Sequence, residues 1–513
     1  MLRPELSWPA GERLRARSAP SRGGTTGLLA SPERPRAERA ERAGRVIIAS
    51  NRLPMTVHVD GDAVSLTPSS GGLATGLLGV HARSAGLWIG WSGAPSSLPR
   101  TTRESIDRQL AAAGAVGVPL AEAEIAGFYE RYANGVLWPA LHDRRDVHDA
   151  RPGDWTTYRA VNARFADVIA RHLRPGDQVW IHDYHLMLVP RLLRARCPQA
   201  RIGFFLHTPF PDLAALTGVP EHAALLDGLL GADVVGVHTG AYAARFHEAV
   251  RTVLGRRAHG ATVADGERTV HVHACAMSID AAAFGARAAD PRVTTAAAAL
   301  RVAGGPLLVG VDRLDYTKGI PERLRAFARL LERVPALRGR ARLLQVAVPS
   351  REEVPAYRAL RAEVEALVAR INGRFGDARW TPVDYRYGSV DPITLSALYR
   401  AADVMLVTPL RDGMNLVAKE FVASRPDEDG VLVLSEHAGA AAELRAALLV
   451  DPRDVEGLAT AYEAALELSP AERRVRMRRL RRCVQRHDVF QWARECLLTL
   501  GGEHAALVSR TAG

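Results

Sequence analysis

Lysine is nearly missing from this chain. Of 67 basic side chains only two are lysine, Lys318 and Lys419, and the rest are arginine. This pattern fits GC-rich codon usage, which puts arginine wherever it will serve. A lysine that persists is either a chance survivor or marks a place that needs a compact, flexible ammonium instead of a planar guanidinium. Cysteine is scarce too. Cys197, Cys275, Cys483 and Cys496 are scattered, with no CxxC pair, which excludes a disulfide framework and a structural zinc site and fits a reducing compartment. No apolar stretch approaches the roughly 18 residues that span a membrane, and the N-terminus lacks the apolar core of a secretory signal. The cytoplasm is therefore the expected location. Basic residues are not interleaved with aromatics, so the net charge of +11 does not mark a nucleic-acid surface. A distributed positive balance suits small anionic substrates.

The composition is otherwise that of a globular protein, with 47% hydrophobic and 24% charged residues, and 513 residues are enough for two large domains. Residues 1–44, with nine Arg and five Glu and no apolar periodicity, read as a disordered leader. From Arg45 onward, short apolar runs recur at Arg45–Arg52, Gln178–Asp183, Arg201–His207, Ala232–His238, Pro306–Asp312, Arg342–Val348, Asp403–Pro409 and Gly430–Ser435. Each run is continuous, not alternating, as in parallel strands covered on both faces. Helical patterns such as Pro321–Glu332 and Val354–Ile371 lie between them. The expected fold is α/β, two Rossmann-like doubly wound domains facing a cleft. The expected boundaries are 45–285 and 286–480, with the Ala-rich Ala281–Leu300 stretch at the junction. A helix from residue 481 to about 505 is expected to cross back, within a closing segment 481–513.

Chemistry-bearing residues gather at the predicted strand ends, where open α/β sheets bind ligands. Ser69–Gly76 is a Gly-rich turn before an apolar run, either a phosphate cradle or a plain loop. Trp180–His185 places Asp183 between His182 and His185, and a sugar-hydroxyl acceptor is preferred there over a metal site. For the two histidines, simple strand capping competes. His207 is held at a strand exit by the prolines of His207-Thr-Pro-Phe-Pro211. Arg313 and Lys318 stand five apart before a helix start, a site suited to a diphosphate. Thr408–Glu420 runs through a Gly turn whose backbone amides, from Gly413 to Leu416, face a sugar or phosphate. Glu420, about two helical turns on, suits a pair of ribose hydroxyls.

These motifs resemble the trehalose-6-phosphate synthase family, retaining transferases of the two-Rossmann GT-B type. The resemblance runs from about Arg45 to Trp492. It includes Asn51–Pro54, the Ser-Gly-Gly loop, Gly86–Gly93, Asn134–His142, His182–His185, His207–Pro211, Asp312–Gly319, Ile371–Gly376 and Arg411–Glu420. The resemblance implies transfer of glucose from a nucleotide-diphosphate-glucose to glucose 6-phosphate. It implies that Arg52, Tyr129, Trp138 and Arg351 hold the acceptor phosphate, Asp183 the acceptor hydroxyls, and that His207 lies at the donor sugar. It further implies that Asp412, Gly413, Met414 and Asn415 hold the donor glucose, that Gly72, Arg313, Lys318 and Leu416 hold the diphosphate, and that Glu420 holds the ribose. No catalytic metal or cofactor is implied; neither nucleic acid nor membrane is expected as a partner, and a homo-oligomer is left open. Two departures stand out. Ala276-Met-Ser-Ile-Asp280 replaces Pro-Ile-Gly-Ile-Asp, and the loop after Pro211 lacks the usual glutamate. With no phosphatase segment following, the expected product is the phosphate ester. The alternatives are a transferase for another phosphorylated acceptor, such as a glucosylglycerol-phosphate synthase, and a non-catalytic sugar-phosphate sensor. Intact Arg313, Lys318, Asp412 and Glu420 weigh against the sensor.

Overall fold

Among the described residues, seventeen strands are arranged as two parallel-rich sheets and one hairpin. The computed structural model describes residues 44–60, 63–68, 76–81, 86–145, 151–301 and 304–501. The expected leader (but for Gly44), the Ser69–Thr75 part of the Gly-rich turn with Gly72, and the last twelve residues of the closing segment lie outside these.

The first sheet comprises β1 (Val46–Arg52), β4 (Leu87–Trp91), β5 (Ala115–Gly117), β6 (Gln178–His182), β7 (Arg201–Phe205), β8 (Val234–Val237), β9 (Ala258–His259), β10 (Thr262–Asp265) and β11 (Arg268–Ala274). Its order is β5-β4-β1-β6-β7-β8-β11-β10-β9, parallel except for the β9–β10–β11 meander. The hairpin is β2 (Met55–Asp60) with β3 (Ala63–Pro68). The second sheet is wholly parallel. It contains β12 (Leu307–Arg313), β13 (Arg342–Val348), β14 (Val383–Tyr387), β15 (Val404–Val407), β16 (Val431–Ser435) and β17 (Leu448–Val450), in the order β14-β13-β12-β15-β16-β17. In each sheet the first strand lies beside the fourth strand to join it, so the winding reverses between β1 and β6 and between β12 and β15. At such reversals a crevice opens beyond the carboxyl ends of the strands.

Continuous apolar runs become strands because both faces are covered. Val309 of β12, Leu344 and Val346 of β13, Met405 and Val407 of β15, and Leu432 and Leu434 of β16 enter one core. Their neighbours Leu308, Leu343, Ala347, Val404, Leu406, Val431 and Val433 enter the core on the opposite face. Side chains alternate across a strand, so each face needs its own helical layer. The Ile320–Arg333 helix supplies part of one, burying Ile320, Leu324, Phe327 and Leu331 at helical spacing.

Arg323 on that helix is fully buried. Its guanidinium pairs with Asp312 of β12, donates to Gln345 Oε1 of β13 at 2.8 Å and to Thr408 Oγ1 beyond β15 at 3.1 Å, and reaches the Lys318 carbonyl at 3.4 Å.

The segment joining the sheets already packs against the second core at Ala276 and enters it at Ile279, and the helices Ala281–Ala288 and Pro291–Arg301 belong to that core. The closing segment is not one helix from residue 481. Pro470–Arg486 packs on the second core through Met477, Leu480 and Val484, and the chain then breaks. Asp488 caps a new helix, Val489–Thr499, by accepting from the amides of Phe490 and Gln491. That helix lies against the first sheet through Phe490, Trp492 and Leu497.

Removing one partner of a buried ion pair leaves the other charged and desolvated, which costs about 3–5 kcal/mol. Arg323→Ala is accordingly expected to lower the urea midpoint by that amount of stability. A variant within 1 kcal/mol of the parent, roughly the worth of one ordinary hydrogen bond, would show that the cluster carries no such weight.

Candidate active site

The two crevices meet, the Tyr242 hydroxyl of one half bonding the Asp412 carbonyl of the other, and the predicted residues other than Gly72 lie at or around them. On the second-sheet side, Lys318 follows β12 and Asp412 follows β15. The Lys318 ammonium donates to Asp412 Oδ2 at 2.6 Å, and Asn415 Nδ2 donates to the same oxygen at 3.0 Å. Asn415 sits in the left-handed region (φ 74°) and caps the Leu416–Ala423 helix through the Ala418 amide. Its turn thereby points the amides of the helix start outward, a ready anion or sugar cradle. The Met414 side chain is buried in the second core, so only its backbone is available to a ligand. Glu420 lies within the same helix and accepts from the Tyr399 hydroxyl at 2.7 Å. Gly413 lies against the other half: a Cβ there would overlap the His207 carbonyl oxygen.

On the first-sheet side, Asp183 follows β6 with φ 75° and ψ 167°. Non-glycine residues hold that conformation only when the surroundings impose it, at about 1–3 kcal/mol. The imposing bonds run from the Asp183 amide to Phe205 O at 2.8 Å and from the His207 amide to Asp183 Oδ1 at 3.2 Å. Tyr129 and Trp138 come from a wide π-type helix, Ile125–Leu137, and the short helix after it. Arg52, at the end of β1, stacks 4.6 Å over Trp91; Trp91 meets Tyr129, and Tyr129 stacks on His185.

Arg351 bridges the halves. From a left-handed position (φ 50°) it stacks 4.1 Å over Trp138 and donates to the Tyr184 hydroxyl at 3.1 Å, while pairing with Asp315 at 3.1 Å and with Tyr357. Arg313 also reaches across, lying 5.4 Å from the Trp138 ring centre. Two further bridges are the ion pair of Arg411 with Asp143 and the Tyr242 hydroxyl donating to the Asp412 carbonyl at 3.1 Å.

Burial drives the electrostatics. It pushes the Asp183 carboxyl up to about 6, although the amides of Tyr184 and His207 and the charges of Arg313 and Arg351 pull the other way. Burial also raises Glu420, with the Tyr399 hydroxyl opposing. At Asp412 burial acts upward but Lys318 outweighs it, so this carboxylate stays below its usual range. The histidines His142, His182, His185, His207 and His238 are all lowered, chiefly by burial, and stay neutral.

The profile of glycosyltransferase family 20 matches residues 44–501. The chain belongs to this family. Among glycosyltransferase family 20 relatives, a trehalose-6-phosphate synthase from Mycobacterium sp. (strain JLS) is 44% identical, the match covering 90% of this chain and 97% of that protein. A bifunctional trehalose-6-phosphate synthase/phosphatase from Thermoproteus tenax is 42% identical over 89% of this chain, and the match spans 63% of that longer protein. Among solved structures, a UDP-forming α,α-trehalose-phosphate synthase from Burkholderia xenovorans in complex with glucose 6-phosphate superposes with a TM-score of 0.79 at 36% identity, covering 90% of this chain and all of that one. The GT-B fold expected from the sequence is thus the fold of this family member.

Several residues of the site escaped the sequence reading. Asp315, Tyr184, Tyr357 and Asn134 hold Arg351 and its surroundings, with Tyr357 donating to Asp315 at 2.8 Å and Tyr184 to Asn134 at 2.7 Å. Asp315, Tyr184 and Asn134 lay inside the motifs of the sequence reading, and the available signal was an acid between Arg313 and Lys318 and a hydroxyl next to Asp183. The second lysine proved to be a strut. Lys419 is buried and donates to the Met277 carbonyl at 2.8 Å and to Glu443 at 2.6 Å. Among the described residues no helix is long and apolar enough to cross a membrane.

Two outcomes follow for this enzyme. Lys318→Ala should lower kcat about a hundredfold to a thousandfold, as loss of one preorganised charge-stabilising donor does. Lys318→Arg should fail to restore it, because a planar fork does not fit the 2.6 Å contact with Asp412; full activity in the arginine variant would refute the point-charge reading. An ionised Asp183 is the stronger acceptor for the hydroxyls that the sequence reading assigns to it, so kcat/KM for the acceptor should climb with pH through about 6. The sign for stability is opposite: the native state resists ionisation, so stability from this group declines as pH rises from the ordinary aspartate range to about 6. Asp183→Asn should abolish the rate limb and flatten the stability profile, measurable by initial rates and by melting across pH.

Proposed function

We propose that this chain transfers glucose from a nucleotide-diphosphate-glucose to glucose 6-phosphate with retention, giving α,α-trehalose 6-phosphate and a nucleoside diphosphate. The observation that carries the proposal is the meeting of Asp183, from the first crevice, with Arg313 and Arg351, from the second. A carboxylate suited to acceptor hydroxyls thus stands beside one cation suited to the departing diphosphate, Arg313, and one suited to the acceptor phosphate, Arg351.

In this reading the donor lies along the second half. Arg313, Lys318, the Leu416 amide and the Gly72 turn hold its diphosphate, and Glu420 takes the ribose hydroxyls. Asp412 and the turn of Gly413, Met414 and Asn415 hold its glucose, with His207 reaching it from the first half. The acceptor phosphate binds Arg52, Tyr129, Trp138 and Arg351, where the cations already lie on aromatic faces. Asp183 orients the acceptor hydroxyls.

As the sugar–oxygen bond breaks, negative charge grows on the diphosphate, and Lys318 and Arg313 stabilise it in place. The departing phosphate oxygen takes the acceptor proton on the same face, which preserves the anomeric configuration without an enzymic nucleophile. The other carboxylates near the reaction are engaged: Asp412 with Lys318 and Asn415, Asp315 with Arg351 and Tyr357, Glu420 with Tyr399. The bridges between the halves keep water from the donor. A cytoplasmic location suits these substrates.

The test is a donor screen. Purified protein with glucose 6-phosphate and UDP-, GDP- or ADP-glucose should release the nucleoside diphosphate and form an α,α-linked phosphorylated disaccharide, seen by NMR of the product. No release with any donor would favour a sensor, and turnover only with glycerol 3-phosphate would favour the other acceptor. Glu420→Ala should raise KM for the donor about tenfold, the worth of a charged hydrogen bond, and leave KM for glucose 6-phosphate unchanged.

A further inference from the structure

Three histidines lie side by side at consecutive strand ends. His182 closes β6, His207 follows β7 and His238 follows β8. Their hydrogen bonds determine where the protons sit. The Met277 amide donates to His238 Nδ1 at 3.3 Å, so that nitrogen is bare and the proton is on Nε2. His238 Nε2–H then donates to the His207 carbonyl at 3.1 Å. With the His207 amide bonded to Asp183 Oδ1 at 3.2 Å, the backbone of His207 is held at both ends.

The ring of His207 is held by His182. Nδ1 of His182 lies 3.0 Å from Nε2 of His207, and one of the two must donate. His182 is fully buried, and among the described residues its other nitrogen, Nε2, has no partner. Placing the proton there would bury an orphaned N–H, which is rarer and costlier than an unused acceptor lone pair. The proton of His182 therefore belongs on Nδ1, donating to His207 Nε2.

We propose that His182 is the positioning residue that holds His207 as its Nδ1–H tautomer, so that His207 presents a fixed donor to an oxygen of the donor sugar. This inference rests on the placement of His207 at the donor glucose proposed above. Among the described residues no hydrogen bond reaches His207 Nδ1, and the residue is half-buried. Trp492 packs beside both rings, with centroids 6.4 Å from His182 and 6.0 Å from His207, and keeps the pair in register. Held this way, His207 donates and takes no proton from substrate, so it serves recognition and not general-base chemistry.

The test uses the full-length protein with 15N-labelled histidine rings. Long-range proton–nitrogen correlation reports which nitrogen of each ring is protonated, and His207→Gln identifies the His207 signals. The expected spectrum has His207 protonated at Nδ1 and bare at Nε2. In His182→Phe, which keeps a ring but removes the donor, the His207 signals should shift toward the other tautomer. KM for the nucleotide-sugar should rise about fivefold to tenfold, the worth of one hydrogen bond, with KM for glucose 6-phosphate unchanged. His182→Asn, whose amide can donate from the same region, should restore both the tautomer and the KM. A parent spectrum with the proton on His207 Nε2 overturns the proposal even if the variants fail to fold, as does an unaltered spectrum and KM in His182→Phe. Absence of glucosyl transfer with a correct spectrum would count instead against the functional reading on which His207 is placed.

Discussion

The second half of the site hangs on a single buried guanidinium. Arg323 ties β12, β13 and the loop after β15 together from below, through Asp312, Gln345 and Thr408. In a parallel sheet the loops that leave the strands' carboxyl ends all lie at one end, so the positions of Lys318 and Asp412 depend on how those strand ends are spaced. Packing sets that spacing only loosely, because apolar contact has no direction. A five-donor planar group sets it by angle as well. The 2.6 Å approach of Lys318 to Asp412 is a downstream consequence.

Three of the five non-glycine residues with positive φ among the described residues, Asp183, Arg351 and Asn415, lie where substrates are proposed to bind. At about 1–3 kcal/mol each, they consume a noticeable part of the 5–15 kcal/mol that keeps an ordinary domain folded. The two doubly covered cores supply the excess. The gain is orientation, clearest at Arg351, whose side chain crosses to Trp138 and the Tyr184 hydroxyl of the other half.

The strands and their parallel arrangement were legible because burial on both faces writes itself as unbroken apolar runs. Each run that was read as a strand is one. The strands β4, β5, β9, β10, β11, β14 and β17 and the β2–β3 hairpin were not read, being two to seven residues long and most of them partly exposed. The site residues that stand out in sequence are charged groups at strand ends. Those that escaped are their holders. Arg323 looked like any of dozens of arginines, and Asp315 was overshadowed by Arg313 and Lys318 in the same motif. The break at His487–Asp488 was missed because the helical pattern on both sides is strong, and only the capping geometry of Asp488 separates them. Persistent lysine proved a fair signal of an ammonium in a tight place, though only one of the two faces the crevice.

Met277 occupies a singular position between the sheets. Its amide is tied to His238 on one side and its carbonyl to Lys419 on the other, with the returning helix alongside, where the Val489 amide meets the Ile279 carbonyl at 3.0 Å. One residue is thus gripped by opposite partners at its two ends, and between those grips only two torsions are free. The chain crosses between the sheets here and again at His487–Asp488, so a swing of one sheet relative to the other has to turn at both places, as on an axle with two bearings. The departure at Ala276-Met-Ser-Ile279 falls on the first of them.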